Sequence, residues 1–205
     1  MNHSIAYWDR VAERYAKQPI AHEADYQKKL AVTQRYLTPA MRVLEFGCGT
    51  GGTALIHAPR VQEYIGIDNA PNMIAIARSK LVSTGLKNLH FEVGELADYK
   101  TQSQGFDAVL GLNVLHLLED KDQAIAQVYD LLKPGGVFVS STACLGEGLN
   151  PFRFIAPFTR FFRLPSVKAF KRKALETSLV NAGFRLEYRW VPDANPLVYF
   201  LVAVK

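Results

Sequence analysis

A glycine-rich segment at residues 47–52 limits the folds open to this chain more than any other feature. It reads Gly-Cys-Gly-Thr-Gly-Gly, follows the apolar run Val43–Phe46, and precedes a helix predicted over residues 52–58. Glycine is needed where the backbone turns tightly or where a ligand approaches closer than a Cβ atom permits. A strand, a glycine turn and a helix in this order predict the first unit of an α/β sheet, which binds ligands at the carboxyl ends of its strands.

The alternation of strands and helices continues through residues 41–142. Helical spacing predicts one helix that begins near Pro71 and another over Gln123–Leu132, the latter stopped by the Pro-Gly-Gly at 134–136. Such alternation predicts a parallel sheet with helices on both faces. The predicted strands are Val43–Phe46, Tyr64–Ile67, Leu89–Val93, Phe106–Leu110 and a fifth that begins at Val137.

The flanking segments complete a single predicted domain over residues 1–205. Residues 1–38 show helical spacing and predict an N-terminal helical cap. Residues 143–173 interrupt the alternation with glycines and prolines, which predicts an insertion after the fifth strand. Residues 174–205 predict a final helix and an antiparallel β-hairpin, because only a short connection separates the last two strand-like runs.

Composition excludes several classes of protein. Hydrophobic residues make up 49% and charged residues 21%, a globular balance that excludes collagen-like and disordered chains. Two cysteines, Cys48 and Cys144, are too few for a disulfide scaffold or a Cys-rich zinc site, and the five histidines show no ligand spacing. We therefore expect no metal. With no signal-peptide pattern and no apolar run of ~18 residues, we expect a cytoplasmic protein.

The positive charge of the chain is concentrated in one region. The net charge is +5, yet residues 151–189 alone hold nine basic side chains against two acidic ones. The rest of the chain is therefore slightly acidic. Because the basic residues are not spread along the chain, the charge pattern does not support a general nucleic-acid-binding surface.

Asp68 completes the pattern of a nucleoside-binding site. Gly47, Gly49 and Gly52 satisfy the G-x-G-x-x-G spacing of dinucleotide binders. Asp68 ends the next predicted strand, where a carboxylate can accept hydrogen bonds from both ribose hydroxyls. Glu45, two residues before the loop, would oppose a diphosphate at the following helix but suits a cationic ligand. We therefore favour a cationic nucleoside and keep an NAD-dependent oxidoreductase as the alternative.

Five segments resemble, in order, the motifs of class I S-adenosylmethionine-dependent methyltransferases, and the similarity covers about residues 41–190. The most similar subgroup methylates small molecules, quinones and lipids and has a Tyr-rich N-terminal helix, as at Tyr7-Trp8-Asp9 and Tyr15. The five segments are Val43–Gly51, Ile65–Asp68 with Met73, Phe106–His116, Leu131–Gly136 and Asn181–Phe184.

The resemblance implies a Rossmann-like, doubly wound α/β fold with a seven-stranded sheet, mostly parallel with one antiparallel strand near the C-terminus. It implies S-adenosylmethionine as cofactor and S-adenosylhomocysteine as product, and we expect a small, hydrophobic acceptor. The glycine loop would border the methionine part of the cofactor, with Glu45 in support, and Asp68 would take the ribose hydroxyls. Residues after the second and third strands would flank the adenine, those after the fourth would approach the methyl group, and Tyr15 would close over the cofactor. The implied cofactor-binding residues are Tyr15, Glu45, Gly47, Cys48, Gly49, Asp68, Asn69, Met73, Glu95, Leu96, Leu112 and Asn113.

His116 is the candidate catalytic residue. Methyl transfer from a sulfonium is an in-line displacement that depends mainly on alignment, and a general base is needed only if the acceptor must lose a proton. His116 lies three residues beyond Asn113, and a neutral imidazole near pH 7 suits that task. A histidine packed at the start of a helix is the alternative interpretation. His22, Tyr7 and Tyr26 are further candidates for the acceptor pocket.

An aromatic and basic segment, Pro151–Phe170, contains six of the twelve phenylalanines. Three interpretations are open: a lid over the acceptor pocket, a peripheral membrane contact through residues 151–173, and a lid helix that packs on the domain with solvated basic side chains. Pro157 and Pro165 limit any helix here to short pieces, which weakens the membrane interpretation.

Other functions remain as alternatives to a small-molecule methyltransferase. An enzyme that methylates nucleic acid would need a basic face and a D/N-P-P-Y/F motif after the fourth strand, where this chain has Gly111–Val114, so no nucleic-acid partner is expected. A lipid methyltransferase stays open. A non-catalytic protein that only binds the nucleoside is disfavoured because the glycine motif is intact.

Overall fold

The computed structural model of the chain describes residues 3–147 and 167–205. Short 3₁₀ turns lie at Ala58–Arg60, Leu96–Gln102 and Leu115–Leu117. The helices are α1 (His3–Ala16), α2 (Glu23–Gln34), α3 (Gly52–His57), α4 (Pro71–Val82), α5 (Lys121–Leu131) and α6 (Arg172–Asn181). The strands are β1 (Arg42–Phe46), β2 (Glu63–Asp68), β3 (Leu89–Val93), β4 (Phe106–Leu112), β5 (Leu132–Ala143), β6 (Arg185–Trp190) and β7 (Val198–Val204).

The seven strands form one sheet in the order β3-β2-β1-β4-β5-β7-β6. Neighbouring strands from β3 to β5 are parallel, whereas β7 runs antiparallel to both β5 and β6. The predicted fold class, mostly parallel with one antiparallel strand near the C-terminus, is confirmed. The chain crosses from one side of β1 to the other between β3 and β4. Open α/β sheets bind ligands at this switch point, outside the carboxyl ends of the strands.

The N-terminal cap consists of two helices rather than one continuous helical region. Residues 17–22 separate α1 from α2, and His22, which precedes α2, has the left-handed φ of 55°. Pro19 in this interval has no amide hydrogen for a helical hydrogen bond, which accounts for the break. The helical spacing of residues 1–38 therefore belongs to two elements.

The junction of α5 and β5 also differs from its prediction. We expected the Pro-Gly-Gly at 134–136 to stop the helix and Val137 to open the strand. Instead α5 ends at Leu131, and Leu132 is extended and already pairs with Phe106 of β4. The register of the two strands shifts between Phe106 and Ala108. The Pro-Gly-Gly thus occupies an irregular stretch of β5 rather than a loop before it.

Most of the predicted insertion lies outside the described residues. The part that is not described is residues 148–166, which contain five of the six phenylalanines of Pro151–Phe170 and both of its internal prolines. The ends of the insertion are described and lie together. The Gly146 amide donates to the Phe170 carbonyl oxygen at 3.0 Å, and the Arg172 amide donates to Glu147 Oε1 at 2.8 Å. Within the described ranges, no helix has the length and hydropathy needed to cross a membrane.

The two faces of the sheet are covered by separate apolar clusters. Tyr64 and Phe200 lie in the cluster on one side, Phe106 and Phe138 in the cluster on the other, and all four side chains are fully buried. Burial of one such side chain contributes roughly 1.5–3 kcal/mol, so the sheet is a rigid platform for the loops at its edge.

Helix α1 packs against the beginning of α4. Asp9 Oδ1 accepts a hydrogen bond from the Asn72 amide at 2.7 Å, and Asn72 Nδ2 donates to the Asp9 carbonyl oxygen at 3.2 Å. Amides in the first turn of a helix have no partner within the helix, so Asp9 caps α4 from a distant part of the chain. Ala12 is buried against Ala70 and Met73 at the same contact. The N-terminal cap is therefore held beside the switch point.

The glycine loop can be tested through Gly51. Its φ is +75°, and an added Cβ atom would lie 2.5 Å from Phe91 Cζ and 3.0 Å from Ala77 Cβ. We expect Gly51→Ala to lower the free energy of unfolding by about 2–5 kcal/mol, since overpacking adds to the strain of a left-handed residue. Gly85 is the matched control, because its φ is +70° and no atom lies within 4 Å of an added Cβ. Gly85→Ala should cost about 1–2 kcal/mol. Equal losses in denaturant unfolding would contradict the packing argument.

Candidate functional site

A cavity of about 520 Å³ lies at the switch point, at the carboxyl ends of β1, β2 and β4. This volume is within the range of roughly 300–1,000 Å³ typical of small-molecule sites. Its wall contains the glycine loop, residues from α1, and the segments that follow β2, β3 and β4. The lining residues are Ser4, Trp8, Tyr15, Phe46, Gly47, Gly49, Asp68, Asn69, Met73, Gly94, Glu95, Leu96, Ala97, Leu112, Asn113, Val114, Leu117, Leu118, Glu119, Asp120, Gln123, Ala124 and Gln127.

The glycine loop brings bare backbone to the cavity wall. Gly47 and Gly49 have φ of +65° and +55°, which favours glycine. A Cβ atom at Gly47 would lie 2.6 Å from Val114 Cγ2, so only glycine fits between β1 and the segment after β4. Lys80 of α4 holds the loop, because its Nζ donates to the Thr50 carbonyl oxygen at 3.1 Å and to Thr50 Oγ1 at 3.0 Å.

Asp68 is held in place by two backbone hydrogen bonds. Its Oδ2 accepts from the Gly49 amide and its Oδ1 from the Ala70 amide, each at 2.9 Å. Burial raises the pKa of this carboxyl and the two amides lower it, and burial is the larger effect. A carboxylate has about four lone-pair positions, so two remain for a ligand. The two free positions on one fixed group suit a pair of vicinal hydroxyls.

Two aromatic side chains of α1 form part of the cavity wall. The rings of Trp8 and Tyr15 meet edge to face at 6.0 Å between centroids, and Tyr15 Cε1 lies 3.9 Å from where a Cβ atom of Gly49 would be. Burial raises the pKa of the Tyr15 hydroxyl, and the charge of Asp68 raises it further, so the hydroxyl stays protonated. Aromatic faces attract cations, which makes this wall compatible with a positively charged ligand.

Asn113 has an uncommon backbone conformation at the end of β4. Its φ is +57°, and its amide donates to the Ser141 carbonyl oxygen of β5 at 2.6 Å. Ser141 Oγ also donates to Asn113 Oδ1 at 3.4 Å. Asparagine tolerates the left-handed region better than most residues, and such conformations cluster at functional sites. Asn113 is exposed at the cavity, so its carboxamide is available to a ligand.

The described part of the cavity wall is acidic. Four carboxylates line it, from Asp68, Glu95, Glu119 and Asp120, and no Lys, Arg or His is among its lining residues. All four carboxylates have protein partners. Asp68 accepts two backbone amides, and Glu95 and Asp120 each accept amides in the helical turn that follows them. Glu119 forms an ion pair with Lys168 at 2.7 Å. An acidic wall opposes a diphosphate and favours a cation.

Ten of the twelve residues predicted to bind the cofactor lie together on this wall. Their roles toward a cofactor stay predictions. The ten are Tyr15, Gly47, Gly49, Asp68, Asn69, Met73, Glu95, Leu96, Leu112 and Asn113.

The other two, Glu45 and Cys48, lie behind the wall. Glu45 is 3% exposed, and its Oε2 accepts a hydrogen bond from the Tyr64 hydroxyl at 2.7 Å. Burial raises the pKa of Glu45 to about 7. The Cys48 side chain packs in the apolar cluster under the loop, its Sγ 3.2 Å from where a Cβ of Gly66 would be, and burial raises the pKa of the thiol. The alternation of side chains in β1 and the tight turn after it account for both orientations.

His116 also lies off the cavity wall. Its Nδ1 is 3.1 Å from Thr142 Oγ1 and accepts from the Ala143 amide at 3.4 Å, so the ring faces β5. Burial lowers the pKa of the imidazole to about 4. The ring is therefore neutral at pH 7 but weakly basic. These contacts favour a packing role, and its role as a general base stays a prediction.

Sequence reasoning missed several wall residues. Gln123 and Gln127 of α5 lie four residues apart, and that spacing places them on one helical face. This polar pair on a helix after β4 is a signal that could have been found. Trp8 was noted only as part of a Tyr-rich helix and Val114 only within the segment Phe106–His116. The apolar residues Leu117 and Leu118 carry no motif of their own.

A second, wider concavity of about 1,080 Å³ lies between α5 and α6 and shares no lining residue with the first. Lys121, Phe170 and Lys171 contribute to its wall. It contains no glycine loop, and we assign it no chemistry. Among residues 3–147 and 167–205, no group of three His, Cys, Asp or Glu side chains is arranged to hold a metal ion.

Known methyltransferases are similar to this chain in sequence. An uncharacterized methyltransferase, YcgJ of Bacillus subtilis, is 34% identical over 98 residues, which are 48% of this chain and 39% of that protein. The demethylmenaquinone methyltransferase of Symbiobacterium thermophilum is 28% identical over 156 residues, 72% of this chain and 60% of that protein. The chain thus spans less than two thirds of the length of these relatives.

The fold is shared with solved methyltransferase structures. Phosphoethanolamine N-methyltransferase 2 of Haemonchus contortus, solved with phosphomonomethylethanolamine and S-adenosylhomocysteine, is 20% identical and has a TM-score of 0.74. The match covers 88% of this chain and 53% of that one. In addition, residues 37–171 match a family model described as a methyltransferase domain. The chain therefore belongs to the class I S-adenosylmethionine-dependent methyltransferases.

Proposed function

We propose that this protein transfers the methyl group of S-adenosylmethionine to a small, apolar acceptor. The observation that carries the proposal is the acid-lined cavity at the switch point, in which Asp68 keeps two acceptor positions free beside bare glycine backbone. A nucleoside that is also a cation fits both features. A pyrophosphate does not fit this cavity, because the acidic wall would repel it and the described lining residues include no cation to pair with it.

The residues on the wall fit S-adenosylmethionine by chemistry. Asp68 would hold the ribose hydroxyls, Gly47 and Gly49 would border the methionine part, and Asn69, Met73, Glu95 and Leu96 would surround the adenine. When bound, the cofactor supplies a methyl group on a sulfonium sulfur, and its transfer to an acceptor lone pair leaves S-adenosylhomocysteine. Leu112 and Asn113 would meet the methionyl amine at the end of β4.

The contribution of the protein to the reaction is alignment and exclusion of water. Alignment of two reactants can account for ~7–11 kcal/mol of a barrier in favourable cases. Trp8 and Tyr15 cover the cavity from α1, and the docking of Asp9 on Asn72 holds that helix in place. The rigid sheet fixes the opposite wall. No metal or obligatory general base is needed for this role, so the proposal does not depend on His116.

The character of the described wall supports an uncharged acceptor. Val114, Leu117 and Leu118 contribute apolar surface beside Asn113. A phosphate-bearing acceptor, as in the relatives named for phosphoethanolamine, would find no cation among the described lining residues. A ring compound, as in the relative named for demethylmenaquinone, fits an apolar wall better.

Two further expectations belong to the same proposal. Peripheral membrane contact through residues 151–173 would bring the protein to lipid-dissolved acceptors, and its described basic residues are Lys168, Lys171, Arg172 and Lys173. A cytoplasmic location is supported by the two buried free thiols of Cys48 and Cys144, which suit a reducing compartment.

Calorimetry with three ligands tests the choice of cofactor. We expect the protein to bind S-adenosylmethionine and S-adenosylhomocysteine and not NAD, because the described wall is acidic. Heat from NAD with none from the other two would overturn the proposal and restore the oxidoreductase alternative.

Asp68→Ala tests whether Asp68 binds the ribose hydroxyls of the cofactor. Loss of the carboxylate leaves the ribose hydroxyls of the bound ligand without their acceptor, which weakens binding by about 1–3 kcal/mol. We expect the dissociation constant for S-adenosylhomocysteine to rise roughly 5- to 150-fold in titration calorimetry. Asp107→Ala is the control, because Asp107 also accepts a backbone amide, that of Arg42, at the amino end of β4. Equal affinity of Asp68→Ala and the unmodified protein would remove the ribose assignment.

A panel of acceptors tests the substrate class. We expect S-adenosylhomocysteine to be released with uncharged phenols or hydroquinones. We expect no release with phosphoethanolamine, because the described wall has no cation to pair with its phosphate. Turnover with phosphoethanolamine alone would contradict the apolar assignment while leaving the cofactor assignment intact.

A further inference from the structure

Glu45 is a buried carboxyl that has no cation beside it among residues 3–147 and 167–205. It lies on β1 directly before Phe46 and Gly47, which both line the cavity. Its side chain is almost fully buried. The titratable groups that act on it or feel its charge, among the described residues, are Tyr64 and Asp68 of β2, Tyr15 of α1, Tyr26 of α2 and Cys48 of the loop.

In the part of the chain that the structure describes, one hydroxyl donates to the carboxyl and holds it in position. The Tyr64 hydroxyl donates to Glu45 Oε2 at 2.7 Å and is itself fully buried. Burial keeps the pKa of Tyr64 well above its usual value, so the hydroxyl remains a donor at every physiological pH. This hydrogen bond favours ionised Glu45, burial and the charge of Asp68 oppose it, and the pKa of Glu45 is about 7 as a result.

We propose that Glu45 is a proton switch for donor binding: this buried carboxyl, which no described cation pairs, holds its proton in the free protein and releases it when a cationic donor occupies the cavity. The inference rests on the proposed function, because S-adenosylmethionine supplies the positive charge. Glu45 does not line the cavity itself, so it acts as a positioning residue through its charge. A buried carboxylate without a cationic partner is costly, and an arriving cation lowers that cost.

The sign of the effect follows from linkage. A nearby cation lowers the pKa of Glu45, so binding releases a proton wherever the free carboxyl is still protonated. Affinity should therefore rise with pH up to about 7 and be level above it. Each pH unit below 7 should weaken binding by up to about tenfold, as long as bound Glu45 stays ionised.

Titration calorimetry on the full chain measures the proton directly. At pH 6.5, S-adenosylmethionine is titrated into the protein in phosphate and in imidazole, whose ionisation enthalpies differ. We expect the difference in heat between the two buffers to correspond to more than half a proton released per ligand bound. We also expect the affinity at pH 6 to be about tenfold weaker than at pH 8. Glu45→Gln should abolish the proton release and flatten the pH profile. The ligand's own amine titrates in both proteins and so cancels in the comparison.

Two tyrosine variants separate the switch from a packing effect. Tyr64→Phe removes the donor to ionised Glu45 and should move the midpoint of the affinity profile to higher pH. Tyr199→Phe is the matched control, since the Tyr199 hydroxyl donates to Glu176 Oε1 at 2.5 Å and neither residue lines the cavity. Its profile should equal that of the unmodified protein.

The outcomes distinguish this inference from the proposed function. Donor binding with unchanged proton release in Glu45→Gln overturns the switch and leaves the function standing. If Glu45→Gln does not fold, an unchanged midpoint in Tyr64→Phe overturns the switch instead. Absence of donor binding at every pH removes the proposed function itself.

Discussion

Asp68 joins three parts of the structure through its two carboxylate oxygens. It ends β2, receives the amide of Gly49 from the glycine loop, and receives the amide of Ala70 at the start of α4. The loop can therefore be open and nearly free of side chains without losing its shape. The same hydrogen bonds fix the beginning of α4, on which α1 docks. Both walls of the cavity thus depend on one acidic side chain that still has room for a ligand.

The described cavity wall is distinguished by its negative charge. The described lining carries four carboxylates and no cation, and a fifth carboxyl, Glu45, lies directly behind it. Ionised together, these groups would repel one another at low dielectric. The raised pKa of Glu45 relieves part of this repulsion in the free protein. A cationic ligand relieves it further, so an arrangement that is unfavourable on its own becomes favourable once occupied.

Features with local physical signatures could be predicted from the sequence. The turn between β1 and α3, the carboxylate of Asp68 at the end of β2 and the antiparallel pairing of β6 with β7 follow from glycine spacing, strand ends and a short connection. The sequence also predicted wall positions at which the backbone itself lines the cavity, as at Gly47 and Gly49.

Features set by tertiary packing could not be predicted. Glu45, Cys48 and His116 carry reactive groups in the right segments, yet each side chain turns toward a neighbouring element that local sequence does not specify. The contribution of α5 to the wall likewise depends on distant contacts. The break between α1 and α2 did have a local signal, Pro19, which the helical spacing alone does not register.

The attachment of α1 has a consequence for the working cycle of the molecule. Among the described residues, this helix contacts α4 through the capped helix start and a small patch around Ala12, whereas large apolar clusters cover both faces of the sheet. Displacement of α1 would therefore open one wall for exchange of a spent nucleoside without disturbing the sheet. The rate of that exchange can change with substitutions at Asp9 or Asn72 while the platform beneath keeps its shape.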